Sequence, residues 1–229
     1  MLIKQCIQYE GSNHARLLPL YIEELLAFAR EQHLSLDAVA LSEGPGSYTG
    51  LRIGTATAKG LCYGLNIPLI PVPTLEVLCE AAREQSAVSI QPSDILIPMI
   101  DARRMEVYTE VPSDKVPSDK GDRVNRAKAV VVESEESILS PSLEERDGER
   151  LPVYYFGDGA EKCSKIFTKP NWHYIPGIVP EAQYMGVLAE QITNHQSPIT
   201  NQQSTDLAYY EPYYLKEFIA APSHVKGLN

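Results

Sequence analysis

The sequence predicts an α/β protein built from two subdomains of similar size. Segments with the period of a β-strand and segments with the period of an amphipathic helix follow one another in both halves of the chain. Such alternation is typical of sheets that are covered by helices. A change from a polar loop to a buried strand near 92–98 marks the expected boundary, so we divide the chain into residues 1–97 and 98–229.

The individual elements follow from apolar spacing and from the turn residues between them. Val111 to Lys115 is copied without change as Val116 to Lys120, so residues 111–126 are interpreted as a solvated loop insertion. The predicted elements are strand 2–9, helix 14–32, strand 37–42, helix 47–65, extended segment 68–73, helix 74–85, strands 95–100, 106–111, 128–133 and 153–156, helix 183–194 and a Tyr-rich tail at 208–216.

Composition and charge exclude several classes of protein. The net charge is -10 and the isoelectric point is near 5.0, which opposes a broad phosphate-binding face, because each phosphate contact normally needs a Lys or Arg. The longest apolar runs fall far short of the roughly 20 residues that span a bilayer. The four cysteines are scattered and form no CxxC pair. We therefore expect a cytoplasmic protein with no membrane segment.

The helix predicted at 47–65 is the most unusual element of the chain. It carries only Arg52 and Lys59 as charges, so most of its surface must be covered. Small residues also let another helix approach closely, and the four glycines of this helix cost about 1 kcal/mol each relative to alanine, which packing has to offset. Small residues recur at a spacing of four, at Gly50, Gly54 and Ala58 and again at Gly60 and Gly64.

The turn before this helix allows two interpretations. Free N–H groups at a helix N-terminus favour an anion, so Gly44, Gly46 and Ser47 are candidates for contact with an anion or a nucleotide. The turn is otherwise a simple connection between a strand and a helix. We favour the simple turn, because the loop has neither a P-loop ending nor GxGxxG spacing.

Two further clusters also have a functional and a structural interpretation, and we favour the structural one in both. The charged turn after the strand at 95–100 is either a holder of metal-bound phosphate or a hairpin turn, and the tail tyrosines either stack a base or pack in the core. The first cluster is Asp101, Arg103, Arg104 and Glu106, and the second is Tyr209, Tyr210, Tyr213 and Tyr214.

Motifs for metal binding and for nucleophilic catalysis are missing from the sequence. The five histidines lie far apart and form no HxxxH or HExxH pair. Ser47 does not stand in a GxSxG elbow. We therefore assign neither a metal site nor a catalytic residue to this chain.

The run from Gly44 to Gly54, Gly-Pro-Gly-Ser-Tyr-Thr-Gly-Leu-Arg-Ile-Gly, resembles the bacterial TsaB family, once called YeaZ. The resemblance extends to Asn13-His14, to Ile100-Asp-Ala-Arg103 with Glu106-Val-Tyr108, and to Glu211-Pro-Tyr-Tyr-Leu215. It covers most of the chain. It implies an actin/Hsp70/sugar-kinase-like (ASKHA) fold of two related α/β subdomains.

The resemblance also implies a function. Members of the family act as the non-catalytic partner of TsaD in forming N6-threonylcarbamoyladenosine at position 37 of ANN-decoding tRNAs, and TsaE completes the complex. We accordingly expect a heterodimer with a TsaD-like subunit, a TsaE-like ATPase as a further partner, and a homodimer when the chain is alone. ATP and a metal ion are expected on the partner subunits, with no cofactor on this chain and no direct tRNA binding.

One comparison with the catalytic relative bears on the alternatives. TsaD carries a metal-binding His-x-x-x-His on the helix after the glycine-rich helix, and the matching positions here are Thr74 and Leu78. Neither residue can replace an imidazole as a metal ligand. The substitution disfavours the alternative of an M22-like metallopeptidase. A small-molecule kinase on the same fold is the third hypothesis.

In the family, the first helix and the glycine-rich helix pack against the same pair in TsaD or in a second TsaB. This agrees with the wide apolar arc, about 180°, on the helix at 14–32. The predicted interface consists of Leu17, Leu18, Tyr21, Leu25, Gly50, Arg52, Ile53, Gly54 and Thr57.

The start of the chain departs from the family pattern. Family members begin with a strand, a tight turn and a second strand before the strand placed here at 2–9, and this sequence begins without them. A sheet that lacks its central strands exposes unpaired backbone and apolar surface. We expect a start assigned too late or a truncation rather than a genuine loss.

Overall fold

The structure is a computed structural model, and it describes residues 2–9, 13–110, 127–140, 144–146, 149–195 and 206–216. The whole predicted loop insertion, residues 111–126, which contains both copies of the pentapeptide, lies outside these residues. The helices are α1 (His14–Glu31), α2 (Tyr48–Leu65), α3 (Thr74–Gln85) and α4 (Ala182–His195). The strands are β1 (Val39–Ser42), β2 (Leu69–Val72), β3 (Ile95–Asp101), β4 (Glu106–Glu110), β5 (Ala127–Val131), β6 (Glu145–Arg146), β7 (Glu149–Arg150), β8 (Val153–Phe156) and β9 (Trp172–Ile175).

The first half of the chain folds around a small parallel sheet. β1 pairs with β2 in parallel, with Val39 opposite Leu69 and Ser42 opposite Val72. The crossover between them is α2, which makes a βαβ unit. Helix α2 begins where Ser47 accepts a hydrogen bond from the Gly50 N–H, and it ends at Asn66, which adopts the left-handed conformation of a helix C-cap.

The strand predicted at 2–9 is wrong. The residues lie at the protein surface and belong to no sheet. The apolar alternation alone cannot make a strand, because a ladder needs a neighbouring edge, and within the described residues β1 and β2 pair only with each other. Leu2, Ile3, Ile7 and Tyr9 are exposed as a result. The expectation about the start of the chain stays a prediction.

The second half is built on a five-stranded sheet in the order β5-β4-β3-β8-β9. β3, β8 and β9 are parallel, and the hairpin β3–β4 and then β5 extend the sheet with antiparallel pairing. The short strand β9 was not predicted, because only Trp172 and Ile175 of its residues are buried and the pattern gives no alternation. The other predicted strands and all four helices are confirmed to within a few residues.

Two segments join the halves. Helix α4 packs beside the first sheet, where Ala189 lies in a buried cluster with Val72 and Val77. The tail residues Leu207 and Tyr210 pack against Ala58 of α2. The division between residues 97 and 98 falls inside β3 and stays a prediction. In the part of the chain that the structure describes, no helix combines the length and the apolar character that a membrane span requires.

Candidate partner-binding site

A surface hollow of about 450 Å³ lies between α1, α2 and the N-terminal segment 2–9. Six of the nine predicted interface residues line it, together with Ser47, whereas Leu25, Arg52 and Thr57 do not. The fold therefore brings predicted interface residues of two separate helices together at one hollow. The lining consists of Cys6, Ile7, Gln8, Asn13, Leu17, Leu18, Tyr21, Ser47, Gly50, Ile53 and Gly54.

The N-terminal segment forms one wall of this hollow through polar contacts. Lys4 pairs with Glu24 of α1 at 2.8 Å, and the Tyr21 hydroxyl donates to the Gln8 side chain at 3.4 Å. At its end the segment reaches the start of α4, where the Tyr9 hydroxyl donates to Glu181 at 2.8 Å. The sequence pattern did not place this segment in the site.

Helix α2 has two distinct faces. Thr55, Ala58 and Cys62 are buried toward the sheet. A Cβ added at Gly54 would contact the Leu41 side chain at 3.5 Å, so this glycine also lies close to β1. The predicted stripe thus begins at the hollow, which Gly50 and Gly54 line, and ends inside the protein, where Ala58 is buried.

The opposite face of α2 is fully exposed and consists mostly of small residues. A Cβ added at Gly60 or Gly64 would meet nothing within 4 Å. Tyr63 beside them is 86% exposed. The spacing predicts a helical stripe but cannot tell which of two stripes faces the sheet, so the predicted interface includes Arg52 of this face but not Gly60, Tyr63 or Gly64. The exposed face, named the outer face of α2 below, consists of Thr49, Arg52, Ala56, Gly60, Tyr63 and Gly64.

Residues 208–214 of the tail contact α2 through hydrogen bonds and aromatic rings. Lys59 donates to the carbonyls of Ala208 at 3.2 Å and Tyr210 at 3.1 Å. Near the N-terminus of α2, the Tyr48 ring lies 4.9 Å from the Tyr214 ring. The Arg52 guanidinium lies 5.6 Å from the centre of the Tyr48 ring. These contacts set the orientation of α2 relative to the second half of the chain.

The turn before α2 is held by groups of the protein itself. The Gly44 N–H donates to the Thr74 hydroxyl at 3.1 Å, and that hydroxyl lies 2.6 Å from the Ser42 hydroxyl. Gly44 has a φ of +116°, and a Cβ there would lie 2.5 Å from the Tyr213 carbonyl oxygen. Only glycine fits this position. The Gly44 N–H is therefore already used, which favours the simple turn; anion contact at Gly46 and Ser47 stays a prediction.

A carboxyl group next to this turn also opposes a bound anion. Burial, with a smaller effect of Glu76, raises the pKa of Glu43 from 4.5 to about 7. Burial and the charge of Glu43 raise the pKa of the Tyr210 hydroxyl. A site that already disfavours its own negative charge is a poor place for a phosphate.

The positions that match the metal-binding histidines of TsaD serve the core. Thr74 holds the Gly44 turn, as described above, and Leu78 is 1% exposed in a cluster with Leu75 and Phe156. Within the described part of the chain, no group of three or more His, Cys, Asp or Glu side chains is placed to hold a metal ion. The residue types at these two positions disfavour the metallopeptidase alternative.

The charged cluster after β3 is a hairpin turn, as predicted. Lys162 pairs with Asp101 and donates to the Glu106 carbonyl at 2.7 Å. The main chain after β8 packs directly on the end of β3, because a Cβ at Gly159 would lie 2.8 Å from the carbonyl carbon of Ile100. This close packing fills the space where the ends of two parallel strands can cradle a ligand.

The tail tyrosines divide between core and surface. Tyr210 packs against the cluster under α2, and Tyr213 donates its N–H to the Glu43 carbonyl at 2.7 Å. Tyr209 is 84% exposed. The predicted core packing holds for Tyr210 and is wrong for Tyr209, because the chain turns at 207–209 and directs that ring outward.

Comparison with known proteins agrees with this architecture. The family described as TsaD: tRNA N6-adenosine threonylcarbamoyltransferase matches residues 8–144. The tRNA threonylcarbamoyladenosine biosynthesis protein TsaB of Haemophilus influenzae is 31% identical over 88% of this chain and 78% of its own length. TsaB of Bacillus subtilis is 31% identical over 68% of this chain and 61% of its own length. YeaZ from Pseudomonas aeruginosa has a TM-score of 0.61 at 22% identity, covering 91% of this chain and 88% of that structure.

The fold and these likenesses define an ASKHA-type α/β protein. Within that class, the chain belongs to the TsaB family, also called YeaZ.

Proposed function

We propose that this chain is the non-catalytic partner of a TsaD-like threonylcarbamoyltransferase in the formation of N6-threonylcarbamoyladenosine at position 37 of ANN-decoding tRNAs. The observation that carries the proposal is the outer face of α2, an exposed stripe of small residues beside the hollow that α1 helps to form. Thr74 and Leu78 at the positions of the catalytic relative's histidines support a non-catalytic role.

The outer face of α2 suits a helix of another protein better than it suits a small ligand. Without side chains at Gly60 and Gly64, a second helix axis can come closer than with larger residues. The lining of the hollow, from Leu17 to Ile53, adds apolar area beside that contact. The same face would pair with a second copy of this chain when the ligase is absent.

The other components follow from this role. ATP and a metal ion would be bound by the partner subunits, and a TsaE-like ATPase would complete the complex. The net charge of -10 supports leaving tRNA contact to those partners. A cytoplasmic location fits such a complex.

The test is to replace Gly60 with leucine and to measure binding to the threonylcarbamoyltransferase of the same organism. Because nothing lies within 4 Å of a Cβ at Gly60, the fold should tolerate the side chain, and leucine is the better helix former. The side chain would hold the partner helix away, so we expect the dissociation constant to rise by at least about tenfold. Gly54→Leu is a poorer test, because that position faces Leu41.

Gly186 of α4 offers a matched control, since a Cβ there also meets nothing within 4 Å. Gly186→Leu should leave the complex intact. Wild-type affinity in a folded Gly60→Leu variant would contradict the proposed interface, and failure of the wild-type chain to bind the ligase would contradict the proposed function.

A further inference from the structure

The tip of the β3–β4 hairpin presents two arginines in an unfavourable backbone conformation. Arg103 has a φ of 69° and Arg104 a φ of 50°, and both residues are exposed. The Ala102 N–H donates to the Glu106 carbonyl, so the loop consists of three residues, Arg103 to Met105. Residues in the left-handed conformation are ordinarily Gly, Asn or Asp, because a Cβ is strained there. The turn itself therefore gives no reason for Arg-Arg, and such strain often marks a functional position.

The base of this hairpin is held firmly, whereas the arginine side chains are not. Lys162 joins Asp101 to the Glu106 carbonyl. The Asp101 carboxylate also accepts the Arg103 N–H at 3.2 Å. Neither arginine forms an ion pair with any residue in the ranges that the structure describes. The acidic groups nearby are thus occupied, and the two guanidinium groups remain available.

A series of contacts connects the hairpin with the outer face of α2. Lys216 pairs with Glu106 and lies 5.6 Å from the centre of the Tyr108 ring. Two residues earlier in the tail, the Tyr214 ring lies against the Tyr48 ring at a tilt of 38°, and the Arg52 guanidinium lies over the Tyr48 ring. A partner seated on the outer face of α2 can therefore extend along the tail to the hairpin tip.

We propose that the Arg103-Arg104 turn is a second docking point for the ligase partner and receives an acidic segment of that protein. This inference rests on the proposed function, and continuity with the outer face of α2 selects the same partner. Arginine pairs with carboxylates in a bidentate geometry. The neighbouring Met105 is 37% exposed, and Met and Arg are both enriched at protein interfaces.

The surroundings favour a protein over a nucleic acid as the occupant. A phosphate backbone on this hairpin would approach Asp101 and Glu106 at its base, as well as Asp158, which accepts the Asp101 N–H at 2.9 Å. The chain as a whole carries a charge of -10. Both features repel a polyanion, whereas a protein segment can place its few carboxylates on the two arginines alone.

The experiment replaces Arg103-Arg104 with Asn-Gly and measures both fold stability and binding to the ligase. Removal of the strain should raise the melting temperature by about 2–4 °C, while loss of the charges should weaken the complex by at least about tenfold. The dissociation constant should also depend less on salt than that of the wild type. A merely structural turn would not give greater stability together with weaker binding.

The control removes two exposed positive charges elsewhere, by Arg83→Asn with Lys165→Asn, and should leave affinity near that of the wild type. Wild-type affinity of the Asn-Gly variant, while Gly60→Leu still breaks the complex, would overturn this inference and leave the proposed function intact. Unchanged protein affinity with lost retention of tRNA by the assembled complex would also overturn it, in favour of a nucleic-acid contact.

Discussion

The two sheets of this protein differ in how completely they are covered. The five-stranded sheet has a buried cluster of thirteen residues, in which Tyr155, Phe167 and Trp172 pack ring against ring. The two-stranded sheet has small clusters of three buried residues each. Helix α1 has only one buried side chain among those described, that of Ala29.

The exposed apolar residues show the same difference. Nine of the fifteen large hydrophobic side chains exposed in the described residues lie between Leu2 and Leu65. Scattered exposed apolar residues are normal, but a concentration of them in one part of the chain favours an interaction surface there. The second half is stabilised by its own contacts, whereas the first half leaves surface for a partner. This contrast leads to three predictions about stability.

The largest effect is expected in the five-stranded sheet. Phe156 is 0% exposed and packs against Leu75 and Leu78 of α3, so Phe156→Ala should lower the free energy of unfolding by about 3–5 kcal/mol. Urea denaturation followed by circular dichroism measures the loss.

Leu17→Ala provides the matched comparison, because Leu17 is half-buried and lines the hollow. It should cost less than about 1 kcal/mol of stability yet weaken ligase binding about fivefold. Equal losses of stability in the two variants would remove the contrast between the halves.

A middle-sized effect is expected at the turn between β1 and α2. Thr74→Val keeps the shape of the side chain but leaves the Gly44 N–H and the Ser42 hydroxyl without their partner. An unpaired buried donor costs about 1–3 kcal/mol, and thermal unfolding measures that cost. Thr74→Ser keeps the hydroxyl and should lose less. A valine variant as stable as the wild type would show that this hydroxyl does not hold the turn.

The smallest effect is a dependence on pH from Glu43. Its pKa is raised in the folded protein to about 7, so folding favours the protonated form. The stability from this group is present below pH 4.5 and is lost as the pH rises through 7. Because solvent screens a partly exposed group, Glu43→Gln should add only about 1 kcal/mol at pH 8 and little at pH 4.5.

Unfolding free energies measured from pH 4.5 to 8 test this prediction. Glu76→Gln should make the decline smaller and end it at a lower pH, because Glu76 contributes to the raised pKa of Glu43 in the folded protein. Parallel profiles for the wild type and Glu43→Gln would contradict it.

Local pattern was enough to predict most elements, whereas the joint use of α1 and α2 was predicted from the family resemblance. Ser47 as N-cap and Gly44 as a turn residue act within a few residues of their own positions, so they can be read directly from the chain. The strand at 2–9 could not be predicted in this way, because alternation shows that a segment can pair but not that an edge is available. β9 lacks alternation and forms because β8 offers such an edge.

The sequence by itself determined that a nearly uncharged, glycine-rich helix needs cover, because composition and spacing set how much apolar surface a helix presents. Only the tertiary structure decided which stripe of this helix is covered by the protein itself and which stripe stays exposed. The Gly54 side turns toward Leu41, and the Gly60 and Gly64 side remains open. A helix has the same period around its whole circumference, so the direction of each face depends on where the sheet and the tail lie.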